Sequence, residues 1–372
     1  MGRDPAPIGI ETQRTYRGRA WRDEDPEEHR GLHEVHKEER AVLIASLDCS
    51  PVEEDDRLQE MSELLRTAGA TVVHRVVQHR DRPDPRLYLG KGRLDELAEW
   101  VKEHKPDVVA CEGDLAAGQQ RHLEDKLKVR VVDRTGLILD IFALHAKSAE
   151  GKLQVELAQL EYSYSRQEGL WQHLERLGGG VGTRGPGESQ LESDRRLIRN
   201  RMGVLRKRLR EVEKSRDTMR EERLSSATTR VALAGYTNAG KSSLMNALTG
   251  AHVDVENALF ETLDATTRAF SQDGIKVLVS DTVGFIRHLP HQLVESFRST
   301  LDEVRDAHLI LHVADASEDD EGRAARAAAV EEVLDEIGAG EVPRLMVLNK
   351  CDLLDHDDLD ALRRQYPQAV FT

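Results

Sequence analysis

One stretch limits the possible folds of this chain more than any other: "RVALAGYTNAGKSSLMNALTG", residues 230–250. An apolar strand-like run leads into "GYTNAGKS" at 235–242, which fits G-x-x-x-x-G-K-[ST], and a helix-forming run follows. A strand that turns through glycines and restarts as a helix belongs in a mostly parallel sheet flanked by helices. Gly235 and Gly240 let the loop wrap inward without Cβ clashes. Backbone N–H groups from Asn238 to Ser243 then converge, and the helix start adds partial positive charge. Such a cradle suits phosphate. Lys241 would span the β- and γ-phosphates, and Ser242 would place its hydroxyl on Mg²⁺.

The alternation of strand and helix continues to residue 372 through "IKVLVSDTVG", "HLILHVADAS", an Ala/Glu-rich helix, "PRLMVLNKCD", another helix and "AVFT". A second alternating block covers 41–136. There "AVLIASLD", "ATVVHRVVQ", "DVVACE" and "VRVVD" read as strands separated by three helices. Residues 137–227 carry no strand signal. Leu153, Leu157, Leu160 and Tyr164 form one stripe; Leu191, Ile198, Met202, Leu205, Leu209, Val212 and Met219 form another at heptad-compatible spacing. The fold class expected is therefore α/β. It comprises a polar tail (1–40, disordered), a small parallel α/β domain (41–136), a coiled-coil-like helical subdomain (137–227) and a C-terminal P-loop domain (228–372). The glycine-rich stretch "GGGVGTRGPGESQ", residues 178–190, lacks Gly-Lys-Ser/Thr and joins helix to helix. It reads as the tip of a helical hairpin, with its loop at 178–188, rather than as a second phosphate loop.

Composition matters mainly through its unevenness. The net charge is −15, yet residues 190–224 hold twelve Arg/Lys against seven Asp/Glu, or +5, which leaves −20 for the remainder. That asymmetry marks a candidate interaction face on an otherwise acidic protein, and equally suits a solvated helix. No run approaches the ~18 apolar residues of a membrane span. We expect a soluble cytoplasmic protein, with peripheral membrane attachment left open. Cys49, Cys111 and Cys351 lie far apart and read as reduced, mostly buried thiols.

Two further motifs identify the base and the switch. "DTVG", 281–284, closes an apolar strand some forty residues after the phosphate loop. Asp281 would hold Mg²⁺ through water, and the Gly284 N–H would bond the γ-phosphate and register its loss. "NKCD", 349–352, ends a later strand. Asp352 can accept from both guanine N1–H and N2–H₂. Adenine offers neither donor, and the unpaired carboxylate would cost about 1–3 kcal/mol. The pattern therefore points to GTP hydrolysis. In "LFETLDATTR", 259–268, a switch threonine must reach Mg²⁺; Thr262 is the choice, with Thr266 and Thr267 as rivals. Expected catalytic residues are Lys241, Thr262 and Gly284. The expected Mg²⁺ site comprises Ser242 and Thr262 as direct ligands and Asp281 acting through water. GTP contacts are expected from Gly235, Tyr236, Thr237, Asn238, Ala239, Gly240, Lys241, Ser242 and Ser243. Further contacts are expected from Phe260, Glu261, Thr262, Leu263 and Asp264, from Asp281, Thr282, Val283 and Gly284, and from Asn349, Lys350, Cys351 and Asp352. Phe285 stands where many GTPases place a water-orienting Gln, so slow intrinsic hydrolysis is expected, with a partner completing the site; equally, Phe285 can pack under switch II while another group positions the water.

These residues, with "GGGVGTRGPGESQLESDRR", "EGKLQVELAQLEY", "DRTGLILDIFA" and "DTVGFIRHLPHQLVESFRSTL", closely resemble the HflX branch of the Obg–HflX translation GTPases over 41 to about 352. The resemblance implies a GTPase that binds the large (50S) ribosomal subunit and dissociates or rescues stalled or hibernating ribosomes. It also implies a helical subdomain that approaches the peptidyl-transferase region. On that basis Arg184, Arg195 and Arg196 become candidate rRNA contacts, and a monomer is expected off the ribosome. Two alternatives are a nucleotide-driven RNA remodeller using the N-terminal domain, where "LGKGRLDEL" resembles an anion site, and a non-ribosomal G-protein adaptor. The sequence departs from the family pattern at Ala265 (usually Pro), Ser243 (usually Thr) and Ser165 (usually Pro). It also stops at "AVFT", before a guanine-contact Ser-Ala loop and a final helix, so a C-terminally truncated G domain is expected.

Overall fold

The computed structural model describes residues 38–177, 186–224, 228–250, 259–260, 262–263, 265–272, 274–287 and 298–372. Within them two sheets form. The first orders its strands β2-β1-β3-β4, all parallel: β1 (Glu39–Leu47), β2 (Ala70–His79), β3 (Val108–Cys111) and β4 (Arg130–Asp133). Its connecting helices are α1 (Pro51–Thr67), α2 (Lys91–His104) and α3 (Ala117–Leu127). The start of α1 is set by its local chemistry. Ser50 caps α1 by accepting from Glu53 N, and Pro51 occupies the first turn, where no N–H is needed.

Helix α4 (Arg134–His145) follows β4 directly, capped by Asp133. The domain boundary expected at 136/137 falls inside this helix, whose buried residues include Leu137, Ile138, Ile141 and Phe142. An apolar helix that completes the first sheet's core resembles, in sequence alone, the opening of a helical region.

Helices α5 (Ala149–Leu177) and α6 (Pro186–Leu224) pack on each other. Leu157, Met202 and Leu205 are buried at their seam, with Leu153, Leu160, Tyr164, Ile198 and Leu209 packed around them. Ser165, the position where a proline was expected, donates to Tyr162 O at 2.8 Å, and α5 continues past it. A buried carboxylate ties this hairpin to the first sheet. Asp133 accepts from Leu115 N and Gly136 N as well as from Tyr162 and Arg166 of α5.

The second sheet orders β10-β9-β8-β5-β7-β6: β5 (Thr229–Gly235), β6 (Thr266–Gln272), β7 (Ile275–Asp281), β8 (Leu309–Asp315), β9 (Arg344–Asn349) and β10 (Val370–Phe371). Only β6 runs antiparallel, against β7. Around it lie α7 (Lys241–Thr249), α8 (Arg298–Arg305), α9 (Asp320–Glu336) and α10 (His356–Gln365). One apolar core runs through both sheets' territory, from Leu43, Met61 and Phe142 to Phe260, Val283 and Phe285. Among the described residues, no helix is long and apolar enough to cross a membrane, and nothing there supports the membrane attachment left open above. Cys111 is buried, while Cys49 and Cys351 are half-buried; all three are free thiols.

Candidate nucleotide site

The site lies where β5, β7 and β9 end, outside the carboxyl edge of the second sheet. Gly235 closes β5, and a Cβ there would collide with Val313 O of β8. Gly240 has φ +90, and a Cβ on it would strike the Asn349 side chain. Both glycines are thus required by geometry. Asn238 also adopts positive φ (61), which Asn tolerates better than most residues.

Lys241 opens α7 and is buried. Its ammonium donates to Gly235 O at 3.1 Å and to Tyr236 O at 2.9 Å. Burial pushes its pKa down to about 8, with Asp281 opposing the shift. A cation held among carbonyls in a dry cradle is poised to meet a stronger anionic partner.

Three side chains from three segments converge beside it. Ser242 Oγ donates to Asp281 Oδ2 at 2.6 Å and lies 3.0 Å from Thr262 Oγ1, which reaches Asp281 Oδ2 at 3.3 Å. Asp281 is 2% exposed, and its Oδ1 makes no hydrogen bond among the described residues. Burial raises its pKa, against the pull of Lys241. An orphaned buried carboxylate oxygen beside two hydroxyls is a hard, oxygen-only donor set of the kind Mg²⁺ takes. Ser242, Thr262 and Asp281 could hold such a cation; bound there, it would neutralise phosphate charge. The rival threonines lie elsewhere. Thr266 and Thr267 pair with Asp281 and Ser280 in the β6–β7 ladder, and Thr267 Oγ1 is spent on Ser280 Oγ at 2.9 Å.

Gly284 sits against the loop so closely that a Cβ would lie 2.8 Å from Thr237 Cγ2 and 3.0 Å from Lys241 Nζ. Thr237 N donates to Phe285 O at 2.8 Å, and Phe285 N donates to Gly235 O at 3.1 Å. The phosphate loop and the residues after Gly284 are therefore laced backbone to backbone. Phe285 itself is fully buried and packs in the core. Thr282 is buried too, its hydroxyl bonded to Leu233 O.

At the base side, Asn349 Nδ2 donates to Ala239 O at 2.9 Å, bracing the phosphate loop from β9. Lys350 has φ +64 and pairs with Asp315 at 2.7 Å, and Asp352 stands exposed in a short 3-10 turn. Cys351 N donates to Thr372 O.

Other expected contacts sit differently. The side chains of Tyr236, Phe260 and Leu263 are buried in the apolar core, Phe260 edge-on to Phe142 at 4.7 Å, which leaves only their backbones toward a nucleotide. Glu261 and Asp264 lie outside the described residues, as does Arg184. Arg196 is exposed on α6, whereas Arg195 is half-buried and donates to Tyr164 OH at 3.1 Å. The N-terminal anion candidate at Gly90–Lys91 begins α2, and its Gly90 N–H is already bonded to Gln78 Oε1 at 2.7 Å. Sequence reasoning missed one group entirely, the ionic cluster of Asp56, Glu60, Arg134, Arg287 and Arg326 behind the loop.

Comparison with known proteins agrees with this geometry. Residues 55–143 match a model described as GTP-binding GTPase N-terminal, 145–223 match GTP-binding GTPase Middle Region, and 230–350 match 50S ribosome-binding GTPase. GTPase HflX of Caldanaerobacter subterraneus is 50% identical over 318 residues, which cover 85% of this chain and 73% of the relative. The chain belongs to the HflX family of GTPases. GTPase HflX of Escherichia coli is 46% identical over 318 residues, covering 85% and 74%. A solved complex of SsGBP with GDP superposes with a TM-score of 0.52 at 25% identity, covering 90% of this chain and 92% of that one. The chemistry of this chain is accordingly hydrolysis of GTP.

Proposed function

We propose that this GTPase binds the large (50S) ribosomal subunit in its GTP form and dissociates or rescues stalled or hibernating ribosomes. The reading rests chiefly on the match of 230–350 to the 50S ribosome-binding GTPase model. The α5–α6 hairpin, whose α6 exposes Arg196, Lys207 and Arg208, supports it. In this reading Lys241 holds the β- and γ-phosphates, and Ser242, Thr262 and Asp281 hold Mg²⁺. The Gly284 N–H reports the γ-phosphate, and Asp352 selects guanine. With Phe285 buried, no side chain at that position orients water, so intrinsic turnover is slow and the ribosome accelerates it. Arg184, Arg195 and Arg196 contact rRNA phosphate.

Co-sedimentation with 50S subunits under GTP, GDP and a non-hydrolysable analogue tests this. GTP-dependent pelleting that Arg196→Glu weakens is expected. Arg196 is the clean site, because Arg195 also packs on Tyr164. Equal pelleting in all three nucleotide states, unchanged in Arg196→Glu, would end the proposal.

A further inference from the structure

Helix α1 belongs to the first sheet, yet two of its carboxylates, one turn apart, point into the second. Glu60 is 9% exposed and receives both the Tyr236 hydroxyl and the Arg134 guanidinium. Asp56 pairs with Arg287 at 2.8 Å and with Arg326 at 2.7 Å. Tyr236 is the second residue of the phosphate loop, and Arg287 lies three residues beyond Gly284.

Three contacts converge on Arg287. Its backbone N–H donates to Tyr236 OH at 2.8 Å, its carbonyl accepts from Arg134 Nη2 at 3.1 Å, and its guanidinium is on Asp56. The segment leaving Gly284 is thus gripped at nitrogen, oxygen and side chain by groups that Glu60 and Asp56 hold. The Tyr236 hydroxyl is the shared hinge pin, since it donates to Glu60 and accepts from Arg287. Burial and the adjacent Glu60 charge keep that phenol protonated, so it can do both.

We propose that Glu60 is a positioning residue for GTP turnover. Through Tyr236 and Arg134 it fixes the backbone after Gly284 against the phosphate loop, making the N-terminal domain part of the hydrolytic scaffold. Glu60 touches no reacting atom. It acts by holding the loop-to-loop lacing of Thr237 N to Phe285 O and Phe285 N to Gly235 O in register. Displacements of about 1 Å at such a site cost up to roughly a hundredfold in rate. The inference rests on the GTPase assignment and is independent of the ribosome.

The test is single-turnover hydrolysis at saturating GTP in the full chain, beside fluorescent GTP and GDP affinities. Tyr236→Phe removes one oxygen and keeps the ring. It should slow hydrolysis roughly tenfold while leaving both affinities within about twofold. Glu60→Leu should lose as much, Glu60→Gln should recover most of the rate, and the double variant Glu60→Leu/Tyr236→Phe should lose little more than either single one. Glu60→Leu strands a buried Arg134, so where it fails to fold, Tyr236→Phe and Glu60→Gln carry the test. Rates within twofold of the parent in Tyr236→Phe would overturn the proposal. So would a faster rate, losses that multiply in the double variant, or a defect confined to affinity.

Discussion

Which threonine serves the cation can be decided by comparing three alanine variants. Thr262 Oγ1 reaches both Ser242 Oγ and Asp281 Oδ2, at 3.0 and 3.3 Å. Thr267 Oγ1 instead meets Ser280 in a cross-strand pair, and Thr266 stands opposite Asp281 in the ladder. A cross-strand pair contributes about 0.2–1 kcal/mol of folding stability and nothing directly to turnover. A group that orients a metal site contributes about 10–100-fold in metal affinity or activity, or about 1.4–2.7 kcal/mol at 1.36 kcal/mol per decade. Thr262→Ala should therefore slow single-turnover GTP hydrolysis by about 10–100-fold. Its GDP affinity should hold within about twofold, because GDP lacks the phosphate that the switch senses. Thr266→Ala and Thr267→Ala should stay within about threefold of the parent and lose at most a few degrees of Tm. The assay is rapid-quench hydrolysis at several Mg²⁺ concentrations. If Thr267→Ala or Thr266→Ala lost the rate while Thr262→Ala kept it, the assignment from geometry would be refuted.

Three further outcomes follow from single residues. Asp352→Asn should weaken GTP by at least tenfold and admit xanthosine triphosphate, since the amide presents a donor where guanine also donates; competition binding reads this directly. Gly240→Ala should abolish nucleotide binding while the chain stays folded, because φ +90 and the Asn349 side chain both reject a methyl group; isothermal calorimetry with circular dichroism separates the two effects. His312, on β8 and 3% exposed, has its pKa lowered to about 4 by burial and by the Arg344 and Lys241 charges. The unfolded imidazole titrates near 6.5, so the unfolded state binds the extra proton as pH falls from 6.5 toward 4. Stability present above pH 6.5 is lost across that window, by up to about 3 kcal/mol. His312→Asn should flatten that part of the curve, and matching slopes in urea melts of the two proteins would refute the assignment.

Much of the fold was legible because the elements are strongly patterned. The first four strands are apolar-rich runs separated by helical periodicity, and the hairpin stripe at Leu157, Met202 and Leu205 follows heptad spacing. Strand β6 was not among the expected alternating elements. "TTRAFSQ" is polar and lies at the sheet edge, where burial imposes little pattern. Within the candidate site, the geometry was legible where the backbone demands one residue type, as at Gly235 and Gly240. Thr262 could be chosen from the sequence, but setting aside Thr266 and Thr267 needed the β6–β7 register, which no local signal encodes. Glu60 and Asp56 were missed because they lie in "VEEDDRLQEM", where acidic residues look like a solvated face. A signal was present: Glu60 falls four residues before Leu64 and beside Met61, on the buried stripe of α1.

Matched as separate family regions, the N-terminal and GTPase segments nonetheless share one core, and magnitudes indicate what joins them. Phe142 meeting Phe260 edge-on contributes about 0.5–1.5 kcal/mol beyond the area it buries. Full burial of each surrounding aliphatic side chain contributes about 1.5–3 kcal/mol more. The Glu60–Arg134 and Asp56–Arg287 pairs lose in desolvation most of what they gain in attraction. Apolar packing therefore supplies the adhesion, and it would tolerate sliding, since dispersion contacts are weakly directional. The Glu60–Arg134 pair does not tolerate it, because its side chains are buried and a half-broken pair strands a charge at several kcal/mol; the partly exposed Asp56 pairs add direction at a smaller penalty. The ionic cluster adds little to how strongly the two sheets hold together. It determines the register in which they do so, and that register fixes Arg287 against Tyr236 of the phosphate loop.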